Sequence, residues 1–340
     1  MKLKTPRDWY RRDRVVRRPG LLFLFELLAA GVWTRVTARR IARARPVDPG
    51  IPVICVGNLT VGGAGKTPIV RELTKMLIAR GVAAHVLTRG HGGSLAGPVR
   101  VDPAIHSAAE VGDEALMLAG EASVWVARDR VAGARAAAAA GAAVIVMDDG
   151  HQNPSLHKAL SLVVVDGETR DGEWPFGDGR VVPAGPMREP MAAGLARADA
   201  VIVLLPADLP TAEPELLALF AGKPVLIARL VPLAAPPPGP QVGFAGIGKP
   251  WKLERALRAA GCDLVDFAPL ADHEVPSERF LAFLARRAET LGAGLVTTEK
   301  DWARLSPAWR GRVKFWPVAV RFEDDAALAA LLTPVLPGKL

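Results

Sequence analysis

The 340-residue chain holds only two cysteines, Cys55 and Cys262. Both sit in apolar, strand-like surroundings with no metal-ligand spacing. That excludes a disulfide scaffold and a structural zinc site, and it fits reduced core thiols of a cytosolic compartment. The G-x-G-x-x-G fingerprint is absent, which disfavours a dinucleotide fold. An Asn-Lys-x-Asp run for guanine is also missing. No apolar run reaches the roughly 20 residues that span a bilayer, and none is followed by the small-residue cleavage pattern of a secretory signal.

Excess charge is equally scarce outside one segment. The net charge is +8, but residues 1–49 alone carry 13 Lys/Arg against Asp8, Asp13, Glu26 and Asp48. The rest of the chain is close to neutral, so a nucleic-acid partner, which calls for a basic stripe on the folded body, is not expected. Within the basic segment lies the apolar run 20-GLLFLFELLAAGVW-33, flanked by 11-RRDRVVRR-18 and 35-RVTARRIARAR-45. An amphipathic helix in the membrane interface, its arginines meeting anionic headgroups, is the expected structure. The competing reading is a helix packed on the protein's own core.

From residue 51 the pattern alternates strand and helix. Continuous apolar strands such as 142-AAVIVMDDG-150, 161-SLVVVDG-167 and 200-AVIVLLP-206 predict an α/β fold, with a mostly parallel sheet covered by helices on both faces. The proline-rich 232-PLAAPPPGP-240 is too stiff for a sheet and reads as a linker. The expected organisation is a membrane-associating segment over 1–48, a nucleotide-binding domain over 49–231, the linker, and a smaller α/β domain over 241–340 whose last helix packs back on the first domain.

The chemistry concentrates in 58-NLTVGGAGKTP-68. Thr60 occupies the position where a phosphate-binding loop normally opens with glycine, yet Gly62, Gly63 and Gly65 let backbone amides turn toward a phosphate chain. The candidate ATP-binding set is Thr60, Val61, Gly62, Gly63, Ala64, Gly65, Lys66 and Thr67. In this context Lys66 reaches the β- and γ-phosphates and the Thr67 hydroxyl ligates Mg2+. Pro68 suits the first turn of the following helix. The second element, 144-VIVMDDG-150, is a buried strand ending in two carboxylates. Asp148 and Asp149 are therefore candidate metal ligands, their order left open.

Other stretches divide between structure and function. After Gly112, Asp113 suits a helix N-cap. His273 lies in a loop, where a lone histidine is usually just exposed. In 176-FGDGRVVPAGPMREP-190, Arg180 and Arg188 either recognise a substrate phosphate or sit on a surface turn. In 297-TTEKD-301, Thr298 and Asp301 form a capping-box pattern beside Lys300. Arg89, in 88-TRGHGG-93, lies at the carboxyl end of a strand, where α/β sheets bind ligands.

Taken in order, 57-GNLTVGGAGKTP-68, 88-TRGHGG-93, 112-GDE-114, 148-DDGHQN-153, 176-FGDGRVVPAGPMREP-190, 272-DH-273 and 297-TTEKD-301 resemble the tetraacyldisaccharide 4′-kinases, the lipid A 4′-kinases of Gram-negative bacteria. Threonine at position 60 is itself part of that resemblance. The pattern departs at His151-Gln152-Asn153, where an aromatic followed by Gln-His is usual, so side chains 151 and 153 leave the implied catalytic set. The resemblance implies ATP with Mg2+ as cofactors, and transfer of the γ-phosphate to the 4′-hydroxyl of an acylated glucosamine disaccharide 1-phosphate. It makes Asp113 the catalytic base, His273 its partner across a domain cleft, and Glu114 a candidate for the magnesium shell. The resemblance places the expected enzyme at the cytoplasmic face of the bacterial inner membrane; a monomer is expected, though the sequence does not give the oligomeric state. The rivals are a P-loop ATPase or GTPase switch and a membrane-tethered nucleotide-binding module without catalysis.

Overall fold

The computed structural model describes residues 7–12, 20–272 and 274–336. Among these described residues, nine strands make the larger sheet: β1 Val53–Gly57, β2 Ala84–Thr88, β3 Val99–Arg100, β4 Ser123–Val126, β5 Val144–Asp148, β6 Leu160–Asp166, β7 Ala200–Pro206, β8 Val225–Pro232 and β13 Val318–Phe322. Their order is β13-β8-β7-β6-β1-β5-β2-β4-β3. The pairs β1–β5, β1–β6, β2–β5, β2–β4 and β6–β7 are parallel, and the short edge strand β3 is antiparallel to β4. The expected α/β architecture with a mostly parallel sheet is what the chain adopts.

The central strands are apolar throughout because helices cover both of their faces. Helix α1 spans Gly20–Arg43, α2 Lys66–Ala79, α3 Ala108–Val111, α4 Asp113–Ala119 and α5 Arg130–Ala139. Val53, Cys55, Leu87, Ile145 and Met147 pack with Ala134 and Ala137 of α5. Alternate residues such as Ile54 and Val56 point the other way, toward the side of α2, which packs on β1, β2 and β5. The alanine run of α5 is a close-packing device. A Cβ on Gly133 would lie 2.5 Å from the Cβ of Ala127 and 2.7 Å from Leu87.

A second sheet holds β9 Gln241–Ala245, β10 Leu264–Pro269, β11 Gly294–Thr298 and β12 Val313–Trp316, in the order β10-β9-β11-β12. All three of its strand pairs are parallel. Its core joins Val242, Phe244 and Leu295 to Leu281, Leu284 and Ala285 of the helix Glu278–Thr290. The described residues divide into two compact units, one drawn from 7–12, 20–205, 211–229 and 321–336, the other from 206–210, 230–272 and 274–320.

In the smaller unit, Thr298 caps the helix Glu299–Ala303 by accepting from the Asp301 N–H. Asp301 is fully buried and accepts from the Gly246 N–H at 2.9 Å and from Arg304 at 2.9 Å. The Thr298–Asp301 pattern is thus a structural cap.

Helix α1 is longer than the apolar run it contains. It continues ten residues beyond the apolar run, reaching 24 residues in all, because Arg35–Arg43 has no helix breaker. By length and composition it could cross a membrane. Of its residues only Ala30 and Thr37 are buried. Leu21, Leu24, Phe25, Leu28, Val32 and Val36 are all exposed, Leu21 by 70%. Their spacing of three and four places them on one stripe.

Candidate nucleotide site

The site grows from the parallel pairing of β1 with β5, in which Val56 stands opposite Asp148. That register brings the loop after β1 and the carboxylates after β5 to one sheet edge. Gly65 closes the loop with φ +81°, and a Cβ there would come within 2.2 Å of Leu204. No side chain caps α2, so its first amides remain open to an anion, and the helix dipole favours one.

The loop has a second support that the local sequence does not reveal. Residues 59–61 run antiparallel to 186–188: the Arg188 N–H donates to the Leu59 carbonyl and the Val61 N–H to the Pro186 carbonyl, both at 2.8 Å. Thr60 and Met187 form the bridge between them. Threonine suits this position because a bridge needs extended backbone, which β-branched residues favour. The pairing also aims the Arg188 side chain inward. Its Nε donates to the Thr60 carbonyl at 2.9 Å and its Nη1 to Asp149 Oδ1 at 2.8 Å.

Lys66 Nζ lies 3.6 Å from the same Asp149 oxygen. The partial desolvation of the half-exposed Asp149 carboxyl would raise its pKa, but Lys66 and Arg188 outweigh it and hold the carboxyl down at about 2. Its neighbour behaves oppositely. Asp148 is 2% exposed, and its Oδ1 is buried without a hydrogen-bond partner. Burial and the nearby Glu114 push its pKa up to about 7 against the pull of Lys66. A buried carboxylate oxygen with no donor fits a site that receives a cation. Among the described residues, no three His, Cys, Asp or Glu side chains gather as a metal cage.

Asp113 is the first residue of α4, and Gly112 takes the cap position without a side-chain bond. The N-cap expectation for Asp113 is therefore corrected: its carboxylate stands one place inside the helix. The 88-TRGHGG-93 loop holds this turn in place. A Cβ on Gly93 would lie 2.5 Å from the Glu110 carbonyl, and one on Gly112 would lie 2.6 Å from the His91 carbonyl. Arg89 is exposed. Arg180 pairs with Asp178 at 2.8 Å and lies over the Phe23 ring of α1 at 4.9 Å. Of the three candidate substrate arginines, only Arg188 bonds directly to a residue of the phosphate site. His273 lies outside the described residues.

A family model for the tetraacyldisaccharide-1-P 4′-kinases (LpxK) matches residues 19–336. The chain belongs to this family. A tetraacyldisaccharide 4′-kinase of Phenylobacterium zucineum is 68% identical over 98% of this chain and 99% of its own. One of Caulobacter vibrioides is 65% identical over 98% of each chain, and one of Rhodospirillum centenum 51% identical over 99% and 98%. A crystal structure of LpxK from Aquifex aeolicus in complex with ATP shares the fold. Its TM-score is 0.72 at 24% identity, covering 93% of this chain and all of that one.

Three further residues lie in the neighbourhood of the candidate site. Arg130 is buried at the start of α5, where burial and Arg89 lower its pKa while Asp148 and Asp149 oppose them. Gln152 donates to the Asn58 carbonyl at 2.8 Å and to Glu189 at 3.0 Å. Glu189 is buried and bound by Arg197 at 2.6 and 2.7 Å. A buried Arg or Glu looks like any surface charge in a sequence, and no local signal separates them. His151 is buried between Ser161 at 3.1 Å and the Gly194 carbonyl at 2.9 Å, and burial lowers its pKa to about 4. It is a neutral packing residue behind β1, where Gly57 leaves room for it.

Proposed function

We infer that this chain transfers the γ-phosphate of ATP to the 4′-hydroxyl of a tetraacylated glucosamine disaccharide 1-phosphate, making the bis-phosphorylated lipid A precursor. The observation that carries the reading is Lys66 and Arg188 converging on Asp149 at the open N-terminus of α2, in a chain of this kinase family. Mg2+, held by Thr67, Asp148, Asp149 or Glu114, would neutralise charge on the phosphates. Asp148 is the better-placed ligand, since Asp149 is already engaged by two cations. The residues 60–67 receive ATP, Asp113 takes the proton of the sugar hydroxyl, and His273 orients it. Arg89 and Arg180 are proposed to meet the lipid's acidic groups. The division into 1–48, 49–231, 232–240 and 241–340 belongs to the same proposal. Incubation with labelled ATP and the 1-phosphorylated, acylated disaccharide tests the reading: label appears on the lipid. Free phosphate without labelled lipid would favour the ATPase alternative.

The same reading puts the enzyme at the cytoplasmic face of the inner membrane, acting as a monomer. The exposed stripe on α1 supports an interfacial helix, with Trp33 donating to the Arg188 carbonyl at 3.0 Å and Arg40 to the Gln152 carbonyl at 3.3 Å. The double substitution Leu24→Asp and Leu28→Asp is expected to move most of the protein from anionic vesicles to the supernatant in a sedimentation assay. Each buried leucine contributes on the order of 2 kcal/mol to such binding. Unchanged sedimentation would remove α1 from the membrane contact.

A further inference from the structure

The residues ahead of α1 form part of the wall of the phosphate loop. Arg7–Tyr10 make a single 3-10 turn, and Tyr10 is only 6% exposed. Its hydroxyl donates to the Val61 carbonyl. The Val61 N–H is already bound to Pro186, so both backbone polar groups of Val61 are engaged, from opposite parts of the chain. A Cβ on Gly62 would lie 2.9 Å from the Tyr10 oxygen, so the ring covers the glycine turn itself.

The turn is firmly attached. The Trp174 N–H donates to the Tyr10 carbonyl at 2.7 Å, and the Arg12 N–H to the Gly172 carbonyl at 3.0 Å. The Arg12 guanidinium bonds Glu213 at 2.7 Å and Glu215 at 2.9 Å and stacks on Trp174 at 3.9 Å. Part of the basic flank that the sequence suggests is free for lipid is thus committed to the protein.

The geometry has a specific consequence. The Val61 carbonyl and the Gly62 N–H belong to one planar, trans peptide and point to opposite sides. Fixing the carbonyl on Tyr10 therefore fixes the direction of the Gly62 N–H. Gly62, at φ +85°, offers little steric resistance to rotation of that peptide. Rotation would exchange a donor for a carbonyl at a loop whose ligand is anionic.

We propose that Tyr10 is a positioning residue of the phosphate loop, locking the Val61–Gly62 peptide in the orientation that binds nucleotide. This rests on the reading of residues 60–67 as the ATP site. The test is Tyr10→Phe in the full-length protein in detergent, titrated with a methylanthraniloyl-ATP probe and Mg2+. One hydrogen bond predicts a Kd about threefold to tenfold higher. KM for ATP rises in parallel, while kcat, the KM for the lipid acceptor and Tm change little. An unchanged Kd overturns the proposal. A lower Tm with reduced kcat but unchanged KM for ATP also overturns it, by making Tyr10 a packing residue only. A wild-type protein that does not bind the probe overturns the ATP-site reading itself.

Discussion

Replacing Lys66 by alanine lowers kcat for lipid phosphorylation on the order of 10³-fold, the loss typical of removing one preorganised donor from developing transition-state charge. The structure explains why the fold should survive. Among the described residues Lys66 makes one ion pair, 3.6 Å from an Asp149 whose side chain is 39% exposed, and Arg188 keeps that carboxylate paired. Partly exposed pairs of this kind contribute about 1 kcal/mol or less. Thermal unfolding should therefore change little while turnover collapses. Lys66→Arg is not expected to restore activity, because a planar fork cannot replace a compact ammonium at a crowded loop. Near-normal turnover in Lys66→Ala would end the assignment of 60–67 as the phosphate site.

The second large effect concerns Asp113. Its replacement by alanine is expected to lower kcat by about 10²- to 10⁴-fold, the usual worth of a positioned base. ATP affinity should stay within about twofold, since residues 60–67 are untouched. The bland alternative is quantitative too. A first-turn acid contributes only about 0.3–1 kcal/mol through the helix dipole, so a stabilising role alone would lower Tm slightly and leave kcat intact. Pairing with His273 can be tested in the same experiment. If the two act as a unit, the double substitution costs about as much as the worse single one. Multiplying losses would separate them.

Much of this site can be read locally. A strand, a glycine loop, Lys66-Thr67 and a second strand ending in Asp148-Asp149 are all short-range patterns, and parallel pairing of β1 with β5 joins them. The boundaries expected for the strands near 142–150, 161–167 and 200–206 fall within a few residues of those observed, because buried parallel strands are continuously apolar. What stayed hidden is non-local. Nothing near Thr60 announces Met187, and nothing near Tyr10 announces Val61. Arg188 reads equally as a surface turn or a ligand, and nothing in its local sequence announces its bonds to Thr60 and Asp149. Read locally, Asp113 suits a cap, but Gly112, with no side chain to bond the helix amides, takes that position. Of the 88–93 glycines, Gly90 and Gly93 are pressed against 110–112, while Gly92 stands clear at φ +82°.

The bridge between Thr60 and Met187 also bears on how the protein is made. Both candidate phosphate-site motifs are complete by residue 149, yet Arg188 of the segment that braces the first lies 128 positions beyond Thr60. Contacts so distant in sequence form late, after the intervening chain has been ordered. During synthesis, which proceeds from the N-terminus, a ribosome-bound chain ending before residue 186 carries every signature of a nucleotide site without the brace that shapes it. Nucleotide binding should therefore emerge as a step, once 186–188 has cleared the exit tunnel, and not gradually as the motifs appear.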